Sequence, residues 1–268
     1  MSTNSARSLV ELLDLQRIDR DFYWAVNEAT ASERLFGGQV FGQALRAAAM
    51  TVAEDRMAHS CHGYFLRPGT PGKPILLRVE RDRDGRSFSV RHVVAVQDGE
   101  EILTLSASFH REEPGAELQP GMPADIPGPE TVPADHRSEN QPLFDMAIVP
   151  VPAPAPAGAS RWPYPTRLWV RAKESLPTDP VLQICVLAYV SDMGNGFWNS
   201  IERDIPRGGA TLDHAVWFHQ APRADDWMLL DLTASKTRGA REMYHGSIYD
   251  RSGRLLAVLA QEMLARPV

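Results

Sequence analysis

Twice along this chain an apolar, helix-prone stretch is followed by strand-like stretches joined by tight turns. In the first half, Leu35-Phe36-Gly37-Gly38-Gln39-Val40-Phe41-Gly42 leads into the Ala-rich run that ends at Met50. Strand patterns follow over Ser60 to Leu66, Ile75 to Glu80, Ser87 to Val96 and Ile102 to His110, with Pro-Gly, Asp-Gly and Gln-Asp-Gly turns between them. In the second half, Val181 to Val190 is an unbroken apolar run. Periodicity alone does not separate a buried helix from a buried strand there. Asp179 as N-cap and Pro180 at the first helical position favour a helix, and Gly194 supplies a stop. Strands over Ala210 to His219, Trp227 to Ala234, Ala240 to Tyr249 and Leu255 to Leu264 complete the second round. A helix followed by an antiparallel meander is stable when the sheet wraps on the helix, so the order predicts two α+β repeats.

The repeats align residue by residue, though sparsely. Ala58-His59-Ser60-Cys61-His62 falls on Ala210-Thr211-Leu212-Asp213-His214, and Leu105-Ser106-Ala107 falls on Leu259-Ala260-Gln261. Between the repeats the composition changes. Thirteen of the 21 prolines lie between Pro114 and Pro165, with an Ala-Pro alternation over Pro152 to Pro156. Such density argues against regular structure and for an extended crossover, with the residues around Pro150 to Pro156 expected to make no core contacts. The expected organisation is a repeat over residues 1–111, a proline-rich linker over 112–166 and a second repeat over 167–268. Ahead of all this, Ser8 and Glu11 have capping-box spacing, and Leu9, Leu12 and Leu13 share one face of a short helix.

Composition narrows the function classes. A net charge of −6 gives no basic field for nucleic acid. Two cysteines, Cys61 and Cys185, make neither a disulfide framework nor a four-cysteine metal site, which suits a reducing cytoplasm. Met1 to Arg17 lacks the pattern of a signal peptide, no apolar run reaches the ~20 residues of a membrane span, and the final Ala-Arg-Pro-Val is not a peroxisomal address. The expectation is a cytoplasmic protein that inserts in no membrane.

Three polar residues of the second half stand out. Asp192 follows the apolar helix, where a carboxylate meets the negative end of the macrodipole. Gln261 shares a strand face with Leu259 and Met263, so its amide is expected to be buried and to need partners. Thr211 opens a strand on which alternation groups it with Asp213, Ala215 and Trp217, opposite Leu212, His214, Val216 and Phe218. Each also has a structural account: Asp192 as a loop residue, Thr211 as a β-former, Gln261 as a satisfied core amide. Gly37-Gly38-Gln39 at a helix head would present backbone N–H groups to a ligand, yet it matches neither a phosphate loop nor a dinucleotide fingerprint. His59-x-x-His62 would face opposite sides of a strand, so no metal is expected there, and no cofactor is implied. No Gly-x-Ser-x-Gly elbow advertises a nucleophile.

Several blocks, in order, resemble the type II acyl-CoA thioesterases, the bacterial thioesterase II family with peroxisomal relatives. They are Phe36-Gly37-Gly38-Gln39-Val40, His59 through Tyr64-Phe65-Leu66-Arg67-Pro68-Gly69, Asp84-Gly85-Arg86-Ser87-Phe88 and Ala107-Ser108-Phe109. The second half adds Ala188-Tyr189-Val190-Ser191-Asp192, Thr211-Leu212-Asp213-His214 through Trp217-Phe218-His219, and Gln261-Glu262. The resemblance covers all but the proline-rich middle. It implies a double hotdog fold, an acyl-CoA substrate, hydrolysis by a water held between an Asp, a Thr or Ser and a Gln, and self-association into a dimer or larger. Those motif positions are Asp192, Thr211 and Gln261. The first repeat carries His59 and Ala107 opposite Thr211 and Gln261, so one competent site per chain is expected, with His59 as a candidate lining residue of the substrate cleft. The segment after Asp192, Gly194 to Trp198, and the linker depart from the pattern and leave acyl length open. A hotdog hydratase or dehydratase, or a non-catalytic acyl-CoA binding module, is the alternative.

Overall fold

Asp179 caps its helix as the sequence predicts, its carboxylate accepting from the Val181 N–H at 3.0 Å with Pro180 in the first turn. The helix that follows is buried on every side from Leu182 to Ser191, which is the signature of a helix enclosed by other elements and not laid on a surface. The computed structural model describes residues 7–27, 32–138, 141–151, 164–197 and 208–266. In chain order its elements are α1 (Leu9–Leu13), β1 (Gln16–Asp19), β2 (Phe22–Ala25), α2 (Gly37–Ala49), β3 (Arg56–Phe65), β4 (Ile75–Asp84), β5 (Phe88–Gln97) and β6 (Glu100–Arg111). The second half continues with β7 (Arg137–Ser138), β8 (Phe144–Ile148), β9 (Thr166–Ala172), α3 (Pro180–Ser191), β10 (Gly208–Phe218), β11 (Met228–Arg238), β12 (Arg241–Asp250) and β13 (Leu255–Arg266). Ser8 forms the expected capping box with Glu11 at the head of α1.

Among the described residues the strands form one sheet in the order β1-β2-β4-β5-β6-β3-β10-β13-β12-β11-β9-β8-β7. The two halves meet at β3 and β10, which pair antiparallel from Tyr64 opposite Asp213 to Ser60 opposite Trp217. Inside this sheet α2 and α3 lie side by side and antiparallel. A Cβ on Gly38 would stand 2.4 Å from the Tyr189 carbonyl oxygen and one on Gly42 2.9 Å from that of Cys185. Glycine at these two positions, four apart on one face of α2, is what allows the backbones to approach. At the far end of the pair Arg46 of α2 reaches Asp179 at 3.4 Å. The apolar faces of the strands close around the pair, with Phe41, Leu45, Ile184, Val186, Val216 and Leu259 in the shared core.

The proline-rich stretch differs from its expectation. Within 112–166 the chain forms β8, which pairs with β9 from Phe144 opposite Ala172 to Ile148 opposite Leu168. Phe144 is 2% exposed and its ring sits 5.2 Å from that of Tyr189. Farther upstream, Met122, Ile126 and Val132 pack on the outer face of the second half's sheet with Trp169, Leu229 and Tyr249, and the Trp169 indole donates to the Pro127 carbonyl at 2.8 Å. Proline is excluded from central strands but not from packing. Phe144 to Ile148 contains none, so local alternation there wins over the surrounding density. The Ala-Pro alternation over Pro152 to Pro156 lies outside the described residues.

Phe144→Ala therefore removes a core ring and not a linker side chain. It is expected to cost about 3–5 kcal/mol of unfolding free energy in a denaturant titration, whereas a loss near zero would return the segment to the status of a free crossover.

Candidate active site

The N-terminus of α2 lacks a side-chain cap, because the residue in that position is Phe36. A carboxylate from the other helix takes the place of the missing cap. Asp192 is the C-cap residue of α3, and its carboxylate lies at the head of α2, where the Gly38 N–H draws its pKa down. A Cβ on Gly37 would come within 2.8 Å of Asp192 Oδ2, so glycine there is what admits the carboxylate. The negative end of α3 opposes a charge at Asp192, as the sequence implied, while the positive end of α2 offsets it. This second helix was invisible to the sequence argument, because the partners lie more than a hundred residues apart.

Thr211 reaches the site through an irregularity. The β10–β13 register runs Thr211 opposite Met263 and then Asp213 opposite Glu262, leaving Leu212 as an extra residue. Strict alternation would have put Thr211 with Asp213 and Trp217. The bulge instead turns Thr211 inward with His214, Val216 and Phe218. Its hydroxyl donates to Asp192 Oδ1 at 3.2 Å. Gln261 on β13 is 1% exposed, and its Nε2 donates to Asp192 Oδ1 and to Thr211 Oγ1, both at 2.9 Å. The structure thus brings together Asp192, Thr211, Gln261, Gly37 and Gly38.

These groups line a cavity of about 820 Å³. Asp192, Thr211, Gln261, Gly37 and Gln39 face it, together with apolar side chains such as Leu35, Phe65, Leu103, Phe144, Met146 and Met193. Gln39, on the first turn of α2, is 6% exposed, and its Nε2 has no hydrogen-bond partner among the described residues. Burial pushes the Asp192 carboxyl up to about 6, against the opposing pull of Gln261, Thr211 and the Gly38 N–H. Tyr244, fully buried, donates to the Gly194 carbonyl at 2.8 Å and so ties down the turn that follows Asp192.

His59 does not join this group. It is itself the extra residue of a bulge in β3, since Ala58 pairs with Phe109 and Ser60 with Ser108. Its ring lies on the outer face, with Nε2 2.8 Å from Ser108 Oγ and Phe88 edge-on at 5.7 Å, and it does not line the cavity. The same bulge corrects the repeat alignment by one residue. The ladders match Ala107 with Gln261, Phe109 with Met263 and hence Ala58, not His59, with Thr211. It also removes the reason given for dismissing a metal pair. His59 and His62 both point outward, but to different partners, His62 Nε2 lying 3.0 Å from Asp213 Oδ2. Among the described residues no group of three or more His, Cys, Asp or Glu could hold a metal ion, and no helix is long and apolar enough to cross a membrane.

The fold and this polar cluster define a double hotdog protein with a buried carboxylate at the junction of its helices. The family description "Acyl-CoA thioesterase N-terminal domain" matches residues 27–110, and "Acyl-CoA thioesterase C-terminal domain" matches residues 122–265. The chain is 35% identical over 280 residues to acyl-coenzyme A thioesterase 8 of Homo sapiens, covering 95% of this chain and 88% of that one. It is 34% identical to acyl-CoA thioesterase 2 of Haemophilus influenzae, covering 97% of both. The crystal structure of acyl-CoA thioesterase II TesB2 from Mycobacterium marinum is 39% identical with a TM-score of 0.83, over 97% of this chain and 99% of that one. A protein of unknown function with a hot dog fold from Alicyclobacillus acidocaldarius shares the fold at 21% identity and a TM-score of 0.77, over 97% of this chain and 98% of that one. The chain belongs to the acyl-CoA thioesterase II family, a family of thioester hydrolases.

The raised Asp192 pKa makes stability pH-dependent. The folded state holds this proton more tightly than the unfolded chain, so the stabilising contribution is complete below about pH 4 and is lost as pH rises through about 6. Asp192→Asn removes that slope and is expected to raise unfolding free energy at pH 7 by about 2–3 kcal/mol. Parallel stability-versus-pH curves for the two proteins would contradict a buried, titrating Asp192.

Proposed function

We propose that this protein hydrolyses acyl-CoA by direct attack of water, with Asp192 as general base and Thr211 and Gln261 as the groups that hold Asp192 and the water in line. The observation that carries the reading is the convergence of both donors on one oxygen of Asp192 at the wall of an apolar cavity. With Oδ1 so occupied, the rest of the carboxylate is left to take a proton from water. A base whose pKa lies near 6 is ionised at neutral pH yet basic enough to accept that proton, the compromise acid–base catalysis requires. The apolar lining, from Leu35 to Met193, suits an acyl chain and keeps the thioester carbonyl away from bulk water.

Hydrolysis also builds charge on the carbonyl oxygen. The Gly38 N–H already favours the charged form of Asp192, so we assign it to the base instead of the oxyanion. Gln39 is the better donor for that oxygen: its amide nitrogen is buried and unpartnered, and the residue lines the same cavity as Asp192. A fixed donor in a low-dielectric cavity stabilises developing charge without reorganising. No covalent intermediate is needed, and the second half supplies all three polar groups while the first supplies the helix head. Self-association into a dimer or larger is part of the reading on family resemblance alone, and sedimentation velocity tests it.

Thiol release from a chain-length series of acyl-CoAs measures the activity, and a protein that binds the series without releasing thiol would defeat the reading in favour of a binding module. Asp192→Asn should lower kcat by roughly 10²-fold or more, and kcat/KM of the unaltered protein should rise with pH through about 6 and then level. Gln39→Leu, which keeps the bulk and removes the donor, should lower kcat by about 10²-fold with KM little changed. A large rise in KM at constant kcat would assign Gln39 to ground-state binding.

A further inference from the structure

Directly across the β10–β13 ladder from Gln261 stands His214, and both are almost wholly buried, at 0% and 1% exposure. Each carries one buried polar atom without a hydrogen-bond partner, Nδ1 of His214 and Oε1 of Gln261. The other ring nitrogen, Nε2, lies 2.7 Å from Ser191 Oγ, the residue next to Asp192, and the Phe41 ring of α2 meets the imidazole edge-on at 5.0 Å. His214 thus touches both helices and sits opposite the strand that carries Gln261.

The orientation of the Gln261 amide is fixed by chemistry. Asp192 as a carboxylate only accepts, so Gln261 must turn Nε2 toward it and its carbonyl oxygen away. That oxygen needs a donor, and a buried acceptor without one costs about 1–3 kcal/mol. Two proton arrangements are open to the neighbouring ring. If Nε2 carried the hydrogen, it would donate to Ser191, whose hydroxyl would pass on to the Ala188 carbonyl at 2.8 Å, and a bare Nδ1 would confront a bare oxygen. If Nδ1 carries it, Ser191 donates to Nε2 in place of the Ala188 carbonyl, and the Nδ1–H becomes available to the Gln261 carbonyl across the ladder, an atom it does not hydrogen-bond as placed. Only the second arrangement uses both unpartnered atoms. Burial holds the ring neutral, while the Gln261 side chain favours a proton on it, as a nearby acceptor does.

We infer that His214 is a positioning residue of the site, a neutral Nδ1–H imidazole that braces the Gln261 carbonyl and so locks the amide nitrogen on Asp192 and Thr211. The inference rests on the hydrolytic role proposed for Gln261 and adds what holds that amide from flipping. In a flipped amide Oε1 would face the ionised Asp192, and the water would lose its alignment.

Two measurements test it, one independent of activity. Nitrogen-15 NMR of the histidine rings distinguishes a protonated from a bare Nδ1. The expected state of His214 in the intact protein is Nδ1–H at neutral pH, and an Nε2–H tautomer would overturn the inference. For kinetics, asparagine places a donor amide near the δ position of histidine, whereas glutamine places one near the ε position. His214→Asn should keep most of kcat, and His214→Gln and His214→Phe should lose about 10²-fold in kcat at little-changed KM, the scale of a misaligned reactant. Equal loss in the Asn and Gln variants, each shown folded by its thermal transition, overturns the positioning role. Combining His214→Gln with Gln261→Ala should add little to the loss from Gln261→Ala alone, and fully additive losses likewise count against it. Full turnover in Gln261→Ala by itself would bring down the hydrolytic mechanism, and the role of His214 in it, while leaving the NMR result to stand as a fact of structure.

Discussion

Everything around the site depends on housing one ionisable carboxylate out of water between two helix ends. An isolated buried Asp would take up a proton and cease to act as a base. Asp192 stands at the C-terminus of α3, an unfavourable place, and the N-terminus of α2 is brought against it as the compensating pole. The rest of the helix pair serves that approach. Gly37 admits the carboxylate, Gly38 and Gly42 let the helix backbones close, and Phe36 leaves the end of α2 without a cap of its own. Neither half of the chain builds this pole pair alone.

The same logic explains why a pseudo-symmetric chain has one such cluster. At the opposite end of the helix pair the N-terminus of α3 meets the C-terminal turn of α2, but α3 is capped by its own Asp179, which also pairs with Arg46. The ladders set Ala58 and Ala107 where the second half has Thr211 and Gln261, and Met50 is the C-cap where α3 has Asp192. With no acid and no amide at these positions, that end builds no carboxylate cluster; opposite Ala107 it houses instead the buried guanidinium of Arg91, 1% exposed, which donates to Thr51 and to Asp84. Burying that cation carries its own desolvation cost, which the hydrogen bonds to Thr51, the Arg83 carbonyl and Asp84 offset.

What could be read in the sequence follows from the range of the interaction that fixes it. The capping box at Ser8, the Asp179-Pro180 start of α3 and the paired helix-then-meander order are local, and each appears where local chemistry puts it. The motif resemblance located Asp192, Thr211 and Gln261, although alternation alone would have turned Thr211 outward. Two bulges, at Leu212 and His59, were out of reach, because a bulge is a property of a strand's partner as much as of the strand. They decide which residues face the cavity and why His59 does not. The α2 end beside Asp192 was equally hidden, as was β8, whose strand pattern is short and lies among prolines that bias the reading of the whole segment.

The choice of neutral donors around Asp192 has a consequence for the chemistry proposed. A lysine or arginine beside the carboxylate would have secured its charge more firmly, but it would also have drawn the pKa down and left a weak base. Gln261, Thr211 and the Gly38 N–H offset only part of the burial, so the group comes to rest near 6. The acid strength of the site is therefore set by how dry the cavity is. In the mechanism proposed, substrate binding that excludes further water would raise the carboxylate's pKa again and make it a stronger base toward the held water. A salt bridge would damp this response, because the cation would supply at every stage the stabilisation that water had withdrawn. In that mechanism an all-neutral shell would leave the base coupled to the occupancy of the cavity and so tie proton transfer to the presence of an acyl chain.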